Sequence, residues 1–336
     1  MTYDSVFNIQ VEELLCLSQE TKKFHFSCLK NWLREGCDDF NKMTNLPVIL
    51  RNKLKERYNT VYSSKVVEIK QDINAMKFLL KLYDDNYVEC VVLTDSQNNH
   101  TACLSSEVGC RMKCEFCATG NIGFKRDLYA FEIIEQFFHL KKAVGKIDRI
   151  VYMGMGEPLC NFNAVKESIL YFKNECNLSA RRITVSTSGY VKGIKELTDA
   201  HLGVKLAVSL VTADDEIRAK LMSAARLYPL SELKKALLYY MSKNSQRIAL
   251  EYCLLGGINT DVTSVKKIIS FADKLVYSLN VIPWNSIDNL PFKTPSAKET
   301  TVFTSLLNKF NIPYTIRESK GQKTSAACGM LVAKHK

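Results

Sequence analysis

Three cysteines lie close together in one short segment of the chain, at Cys110, Cys114 and Cys117. This C-x3-C-x2-C spacing allows three thiolates to bind three irons of a four-iron cluster, which normally takes four cysteine ligands. The next cysteine along the chain is Cys160. The pattern therefore predicts a [4Fe–4S] cluster in which one iron is left open for chemistry.

Two other interpretations of the three thiols stay open at this point. Structural zinc sites usually combine a C-x2-C pair with a second pair or with histidines, and the first histidine after Cys117 is His139. Inert cysteines are common in protein cores. Three of them in one loop flanked by glycine and lysine are poorly explained by core packing, so the cluster is favoured.

The elements that would position this loop alternate between apolar strands and amphipathic helices. Strands are predicted at 102–105, 150–153, 183–186, 206–210, 249–254 and 281–284, and helices at 131–144, 162–173, 231–243, 263–277 and 298–309. Such alternation implies parallel strands with right-handed crossovers. The predicted fold class is α/β, a partial (β/α)6 barrel with about six strand–helix units.

The first hundred residues have a different pattern. Apolar residues recur at helical spacing at 11–15, 26–33 and 50–55, and short β-like runs follow at 66–69, 77–80 and 87–93. We expect three parts: a helical accessory domain at 1–62 that contacts RNA, a β meander at 63–98 that links it to the core, and the partial barrel at 99–336 with a C-terminal active-site loop.

In parallel α/β folds the active site lies at the carboxyl ends of the strands. The unusual residues of this chain fall there: the cysteine loop follows the first predicted strand, residues 154–158 follow the second, Ser186 and Ser209 lie in the third and fourth, and Asn285 follows the sixth. The sequence thus predicts one site at this edge of the barrel.

Composition narrows the class of protein. The 336 residues carry 46 basic and 35 acidic side chains, a net charge of +11 that favours a polyanionic partner. No apolar run approaches the roughly 20 residues of a membrane helix, the start lacks a signal-peptide pattern, and twelve scattered cysteines favour a reducing compartment. We expect a cytoplasmic protein without membrane association.

Basic residues concentrate in the helical module. They could hold RNA phosphates, or they could form an ordinary solvated helix face, and composition does not decide between these. The residues are Lys22, Lys23, Lys30, Arg34, Arg51, Lys53, Lys55 and Arg57.

The cysteine motif after a first strand, the Gly–Glu pair after the second and the partial barrel together resemble the radical S-adenosylmethionine (SAM) superfamily. Five short motifs in matching order further resemble the RlmN/Cfr family of ribosomal RNA adenine methyltransferases. They are SSEVGC at 105–110, MGMGEPL at 153–159, STSG at 186–189, IPWN at 282–285 and AACG at 326–329. The resemblance covers residues 85–331.

This resemblance implies a set of cofactor-binding residues. Gly156, Glu157, Ser186, Ser209 and Asn285 would line the SAM pocket, with Glu157 accepting hydrogen bonds from the SAM ammonium group. Ser186 and Ser209 have an alternative interpretation, because serine also caps the helices that follow strands.

The resemblance also implies three catalytic residues. Cys328 would become methylated and donate the carbon, Cys103 would release the product by forming a disulfide with Cys328, and Glu89 would accept the ring proton. Taken alone, Cys103 could be an ordinary strand cysteine and Glu89 a solvated residue on a strand face.

The implied reaction uses the [4Fe–4S] cluster and two molecules of SAM. One SAM methylates Cys328, and reductive cleavage of the second yields a radical that abstracts hydrogen from the new methyl group. The resulting carbon radical adds to an adenine ring carbon, carbon 2 in the main interpretation. The implied substrate is 23S ribosomal RNA, with transfer RNA as a further one; an electron donor such as flavodoxin or ferredoxin supplies electrons, and the chain acts as a monomer.

The chain departs from the family pattern at three places: Val211 where histidine is common, Met222-Ser223-Ala224-Ala225 in place of a Met-Pro-Ile-Asn-like run, and Gln322-Lys323-Thr324-Ser325 before Ala326. These departures leave alternatives. One is Cfr-like methylation of carbon 8 of 23S ribosomal RNA, which confers antibiotic resistance. Others are a radical SAM enzyme acting on a small molecule or peptide, and a non-catalytic iron–sulfur or RNA-binding protein.

Overall fold

The computed structural model of the chain describes residues 4–317, 321 and 325–332. Its α-helices are α1 (Val11–Leu15), α2 (Lys23–Glu35), α3 (Val48–Tyr58), α4 (Ala118–Asn121), α5 (Ala130–Val144), α6 (Phe162–Asn174), α7 (Val191–Asp199), α8 (Asp215–Leu221), α9 (Ser223–Leu227), α10 (Leu230–Lys243), α11 (Val262–Ala272) and α12 (Ala297–Lys309). Its strands are β1 (Lys65–Asp72), β2 (Ala75–Lys81), β3 (Tyr87–Thr94), β4 (His100–Cys103), β5 (Glu107–Gly109), β6 (Phe124–Asp127), β7 (Arg149–Tyr152), β8 (Ile183–Thr187), β9 (Lys205–Ser209), β10 (Ile248–Leu254), β11 (Tyr277–Pro283) and β12 (Tyr314–Ile316). Of the departures noted above, Gln322, Lys323 and Thr324 lie outside the described residues.

Ten of these strands form one sheet in the order β1-β2-β3-β4-β7-β8-β9-β10-β11-β12. The pairs from β4 to β12 are parallel, and the three pairs from β1 to β4 are antiparallel. Within the described residues β1 and β12 end the strand order without pairing to each other, so the barrel is partial, as predicted. The meander strands extend the barrel sheet directly, because β3 pairs with β4.

Some elements differ from the predictions. The helix predicted at 263–277 ends at Ala272, because Tyr277 pairs with Ile248 and begins β11 instead. The sequence pattern also missed α7, whose interior Gly193 weakens a helical prediction. A Cβ at Gly193 would lie 2.5 Å from the Leu159 Cβ, so close packing requires the glycine there.

A single continuous hydrophobic core joins the N-terminal helices to the barrel. It includes Leu29 and Leu50 from the helices, Phe138 from α5 and Leu206 from the barrel sheet. A smaller cluster lies beneath the cysteine loop. The accessory helices are therefore packed against the barrel and share its core.

A buried carboxylate reinforces the connection between the helices and the barrel. Glu135 of α5 accepts hydrogen bonds from the main-chain N–H groups of Ser63 and Ser64, at 2.8 and 2.9 Å, and from both serine hydroxyls. The Ser64 hydroxyl also lies 3.1 Å from His139 Nε2. Burial raises the pKa of Glu135 to about 7, against the opposing effect of these donors, and lowers the pKa of His139 to about 4.

Strand β1 forms one edge of the sheet, and nearly all of its residues are exposed. Its pairing with β2 shifts register between Val66 and Glu68, which is a bulge or a similar irregularity. Among the described residues, no helix combines the length and the apolar character needed to cross a bilayer.

We expect Glu135→Ala to lower the free energy of unfolding by about 2–4 kcal/mol, because buried serine N–H groups lose their acceptor. The measurement is urea denaturation followed by circular dichroism. Glu167→Ala, which removes an exposed carboxylate from the neighbouring helix α6, is the control and should change stability by less than about 0.5 kcal/mol. Equal effects of the two substitutions would contradict a structural role for the Glu135 cluster.

Candidate active site

The cysteine loop connects β5 to α4 and is held by the surrounding barrel. The Glu115 N–H donates to the Leu221 carbonyl at 3.0 Å, and the Trp284 indole donates to the Phe116 carbonyl at 2.9 Å. A Cβ at Gly120 would lie 2.7 Å from the Cys114 carbonyl oxygen, so the chain turns back tightly on itself. These contacts fix the position of the loop.

Cys117 lies near enough to Cys110 and Cys114 to influence their ionisation. Burial, followed by neighbouring charges that include Cys117, raises the pKa of Cys110 and of Cys114. Among the described residues, no three histidine, cysteine, aspartate or glutamate side chains form a group that could hold one metal ion. In a cubic cluster each thiolate binds a different iron. The donor set of three thiols in a preformed loop fits such a cluster.

An ion pair with a buried carboxylate, Glu107, connects the cysteine loop to the turn after β7. Arg111, next to Cys110, donates from Nε to Glu107 at 2.6 Å and also pairs with Asp127. The same Glu107 carboxylate accepts the Glu157 N–H at 3.2 Å. Burial is the main cause that raises the pKa of Glu107 to about 7. Glu107 thus fixes two predicted parts of the site relative to each other.

Gly156 allows the turn to approach Glu107 closely. Its φ is +102°, and a Cβ there would lie 2.6 Å from the Glu107 Cβ. The predicted glycine is therefore required by packing and by backbone conformation.

Glu157 is buried and already has partners from the protein. Its carboxylate accepts the Ser188 N–H at 2.7 Å, the Ser188 hydroxyl at 2.8 Å and the Leu159 N–H at 3.2 Å. A carboxylate has about four acceptor positions. Ser188, which the sequence interpretation did not select, occupies two of them and so fixes the Glu157 carboxylate.

Ser186 and Ser209 lie in β8 and β9 and are half-buried. Helix α7 has Tyr190 at its N-cap, and the N-cap of α8 is Asp214. The alternative interpretation of the two serines as helix caps is therefore wrong. Asn285, after β11, is buried, and its Nδ2 lies 3.5 Å from the Cys328 carbonyl oxygen.

Arg218 is a further buried residue that the sequence interpretation missed. Its guanidinium donates to the carbonyls of Ser188, Ser209 and Leu210, at 2.7 to 3.3 Å. Its Nη1 is buried and has no hydrogen-bond partner among the described residues. Burial lowers the pKa of Arg218 to about 10. This cation connects the ends of the two strands that carry the predicted serines.

The C-terminal segment, residues 325–332, crosses the cysteine loop. The Ala118 N–H donates to the Gly329 carbonyl at 2.7 Å, and the Thr119 hydroxyl donates to the Leu331 carbonyl at 2.7 Å. These two bonds place Cys328 beside the loop.

Cys103 and Cys328 are both free thiols, so the predicted disulfide is not present in this structure. Burial raises the pKa of each thiol to about 12. Cys103 lies near Cys328, and Cys328 also lies near Cys117 and Glu251. Protein atoms surround Cys328, but part of its surface is exposed. This exposed surface makes Cys328 accessible to a substrate. Glu251, buried on β10 and bound by Asn280, was not predicted.

Glu89 is buried on β3, which rules out the alternative of a solvated strand face. Its Oε1 lies 2.9 Å from Lys77 Nζ, and its Oε2 accepts the Val332 N–H at 2.9 Å. Lys77 also donates to the Ser325 carbonyl at 3.2 Å. The Lys77–Glu89 pair therefore contacts both ends of the segment that carries Cys328.

Two of the departures from the family pattern lie next to the cysteine loop. Val211 has a φ of +60°, unusual for a β-branched residue, and its carbonyl accepts from Asn259 at 2.7 Å. Ser223 donates to the Met112 carbonyl inside the cysteine loop. Val211 and Ala225 belong to the small hydrophobic cluster that packs against Cys114 and Phe116. The residues at these two departures therefore pack against the cysteine loop or donate a hydrogen bond to it.

Comparison with known proteins gives two family matches. The radical SAM superfamily matches residues 105–268. The ribosomal RNA large subunit methyltransferase N-terminal domain matches residues 7–59.

Curated relatives match almost the whole chain. A protein of Treponema denticola named as a probable dual-specificity RNA methyltransferase RlmN is 42% identical, over 95% of this chain and 93% of its own length. A dual-specificity RNA methyltransferase RlmN of a Nitratiruptor species is 36% identical over 98% of both chains. The crystal structure of a radical SAM methyltransferase from Sphaerobacter thermophilus has a TM-score of 0.92 and 33% identity, over 98% of this chain and 99% of that one.

We expect Gly156→Ala to weaken SAM binding by about 5- to 150-fold, since the turn must move away from Glu107 and adopt a strained φ that costs about 1–3 kcal/mol. Equilibrium dialysis of the reconstituted protein with SAM measures this.

Gly145→Ala is the matched control. Gly145 has a φ of +79° but nothing within 4 Å of an added Cβ, so this substitution should cost about 1–2 kcal/mol of stability and leave SAM affinity unchanged. A Gly156→Ala protein that binds SAM like wild type would contradict the packing argument.

Proposed function

The chain belongs to the RlmN family of radical SAM RNA methyltransferases, and we propose that it methylates carbon 2 of an adenine in RNA through a methylated Cys328. The observation that carries this proposal is the position of Cys328, which the hydrogen bond from Ala118 to Gly329 holds beside the cysteine loop. Methyl transfer through a cysteine requires that thiol to lie next to the group that activates it.

The residues for both cofactors are Cys110, Cys114 and Cys117 for the [4Fe–4S] cluster, and Gly156, Glu157, Ser186, Ser209 and Asn285 for SAM. When bound, the cluster supplies the electron that cleaves SAM and so provides the radical. The protein contributes the fixed loop and the turn that Glu107 holds against it.

An adenine ring carbon between two nitrogens is electron-poor and does not attack the SAM methyl group. A thiolate does, so Cys328 takes the methyl group first. The carbon then bonds to the ring while still attached to the Cys328 sulfur. This order explains why a single exposed thiol at the mouth of the barrel is needed.

Release of the product is assigned to Cys103 and Glu89. The adduct would first return its unpaired electron to the bound cluster. The ring proton then goes to Glu89, a new bond forms between the sulfurs of Cys103 and Cys328, and the carbon–sulfur bond breaks with its electron pair on the released carbon. A proton adds to the released carbon to complete the methyl group. The proximity of the two thiols supports this step, and an external electron donor, flavodoxin or ferredoxin in our proposal, returns the cysteines to thiols.

The substrate we propose is 23S ribosomal RNA, together with transfer RNA, in the cytoplasm, with the protein acting as a monomer. The curated relatives are named as dual-specificity RNA methyltransferases RlmN, and this name favours the carbon 2 assignment over Cfr-like carbon 8 methylation. The target base must be unstacked to enter the barrel mouth.

We propose that the helical accessory domain, residues 1–62, contacts the RNA, but fewer of its cations are available than the sequence implied. Five of the eight have partners within the protein: Lys30 with Phe7, Arg34 with Glu175, Arg51 with Asn41, Lys53 with Glu56, and Arg57 with Asp4 and Glu13. Lys22, Lys23 and Lys55 are exposed and form no ion pair in the described part of the chain. These three are the best candidates for phosphate contacts.

Cys328→Ala should abolish RNA methylation while the cluster and uncoupled SAM cleavage remain, because the carbon carrier is lost but the radical machinery is not. The measurements are iron and sulfide content, 5′-deoxyadenosine by chromatography, and methyladenosine by mass spectrometry of the RNA.

Cys103→Ser should instead accumulate a covalent protein–RNA adduct, which denaturing gels detect. Cys16→Ala, which removes an exposed thiol next to α1, is the control; methylation by Cys328→Ala would overturn the proposal.

Replacing Lys22, Lys23 and Lys55 together by glutamine should weaken RNA binding and reduce the slope of log affinity against log salt by about 2–3, or about 0.7–0.9 for each phosphate that the variant no longer neutralises. Filter binding over a salt series measures this. The control changes the same charge elsewhere: Lys266, Lys298 and Lys309, exposed on α11 and α12, to glutamine. An equal weakening in the control would show that net charge, not the accessory domain, attracts the RNA.

A further inference from the structure

Strands β2, β3 and β4 bring three reactive side chains to one face of the sheet. In the antiparallel register Lys77 is opposite Val91, and Val91 is opposite Cys103. Residues directly opposite one another share a face, and side chains two positions apart on a strand also share it. Lys77, Glu89 and Cys103 therefore face the same side, toward the segment that carries Cys328.

The side chains of Lys77 and Glu89 are each only 5% exposed. A buried ammonium requires a charged or hydrogen-bonding partner, and this one has two: Glu89 Oε1 at 2.9 Å and the Ser325 carbonyl at 3.2 Å. The other Glu89 oxygen holds the Val332 N–H. The Lys77–Glu89 pair thus contacts both ends of the segment that carries Cys328, Lys77 at Ser325 and Glu89 at Val332.

A buried carboxylate loses most of the hydration that stabilises its charge, so a neighbouring cation is what allows it to stay ionised. Lys77 is the one cation that contacts Glu89 among the described residues. A base that must accept a proton has to be ionised before the step begins.

We propose that Lys77 is the positioning residue for Glu89: its ammonium supplies the opposite charge that the buried carboxylate requires and fixes the carboxylate beside the segment that carries Cys328. The inference rests on the proposed function, because it assumes that Glu89 receives the ring proton. In that step the C–H bond at the substituted ring carbon breaks, its electron pair stays in the ring, and the proton moves to a Glu89 oxygen. Lys77 exchanges no proton.

On β3, on the elements that pack against it and on the segment that carries Cys328, these other ionisable groups have partners of their own or are thiols whose pKa is raised by burial. They are Glu107 of β5, which pairs with Arg111; Glu132 of α5, which pairs with Arg126; Glu135 and His139 of α5, which contact Ser64; and the thiols of Cys90, Cys103 and Cys328. Removing Lys77 therefore leaves Glu89 without a compensating charge.

The test is the pH dependence of single-turnover RNA methylation by Lys77→Met, started from enzyme whose Cys328 is already methylated. We expect the acidic limb of the profile to move to higher pH by about one to three units, because the carboxylate without its cation is harder to ionise. At a pH on the acidic limb of both profiles the rate should fall about 10- to 1000-fold, and it should recover at higher pH. Lys77→Arg, which keeps the charge, should restore the wild-type profile.

The matched control is Lys81→Met, on the same strand and the same face but paired with Asp85 at the surface. It should leave the profile unchanged. A role limited to holding residues 325–332 would lower the rate of Lys77→Met equally at every pH, and that result would overturn the inference. If Lys77→Met does not fold, Lys77→Gln removes the same charge while keeping a hydrogen-bond donor toward Glu89, and its profile is the test.

Two parallel measurements distinguish failure of the inference from failure of the proposed function. Glu89→Gln with normal Cys328 methylation but no RNA product, together with an unshifted Lys77→Met profile, would refute the role of Lys77 alone. Full activity of Glu89→Gln would refute Glu89 as the base and the inference with it. Mass spectrometry of the tryptic peptide that contains Cys328 reports the first stage in each variant.

Discussion

The hydrogen bond from the Ala118 N–H to the Gly329 carbonyl sets the geometry on which the rest of the site depends. It joins residues more than two hundred positions apart, and it connects the loop that would hold the cluster to the segment that carries the reactive thiol. The Thr119 bond to Leu331 strengthens the same connection. Chemistry that passes from a cluster-bound cofactor to a protein thiol depends on a fixed separation, and main-chain bonds provide it without relying on flexible side chains.

Much of the fold could be predicted from the sequence, because strand–helix alternation is a strong local signal. The six predicted barrel strands are all present, and the resemblance correctly indicated the radical SAM class. The end of α11 could not be predicted from the local sequence, because it depends on the pairing of Tyr277 with Ile248. The glycine-containing helix α7 could not be predicted either, because it depends on the packing of Gly193 against Leu159. Tertiary contacts overrode local preference at both places.

The site was predicted less completely for a related reason. Cysteines and glycines at characteristic spacing are visible in a sequence, and the structure places Cys103, Cys328, Gly156 and the cysteine loop at one end of the barrel. Ser188, Arg218 and Lys77 carry no spacing signal. Their importance comes from partners far away along the chain, such as Glu157 and Glu89.

The exposed edge of the sheet has a consequence for how the protein behaves in concentrated solution. In the described part of the chain, the outer side of β1 has main-chain groups that pair with no other strand. A strand from another molecule could pair with these groups and extend the sheet, which is how edge strands initiate aggregation. Here Lys65, Glu68, Lys70 and Asp72 place charges of both signs along that edge, and the irregularity between Val66 and Glu68 disturbs its hydrogen-bonding pattern. A crowded cell therefore meets an edge that resists recruitment into larger assemblies, although Ile69 and Ile73 leave apolar surface beside it.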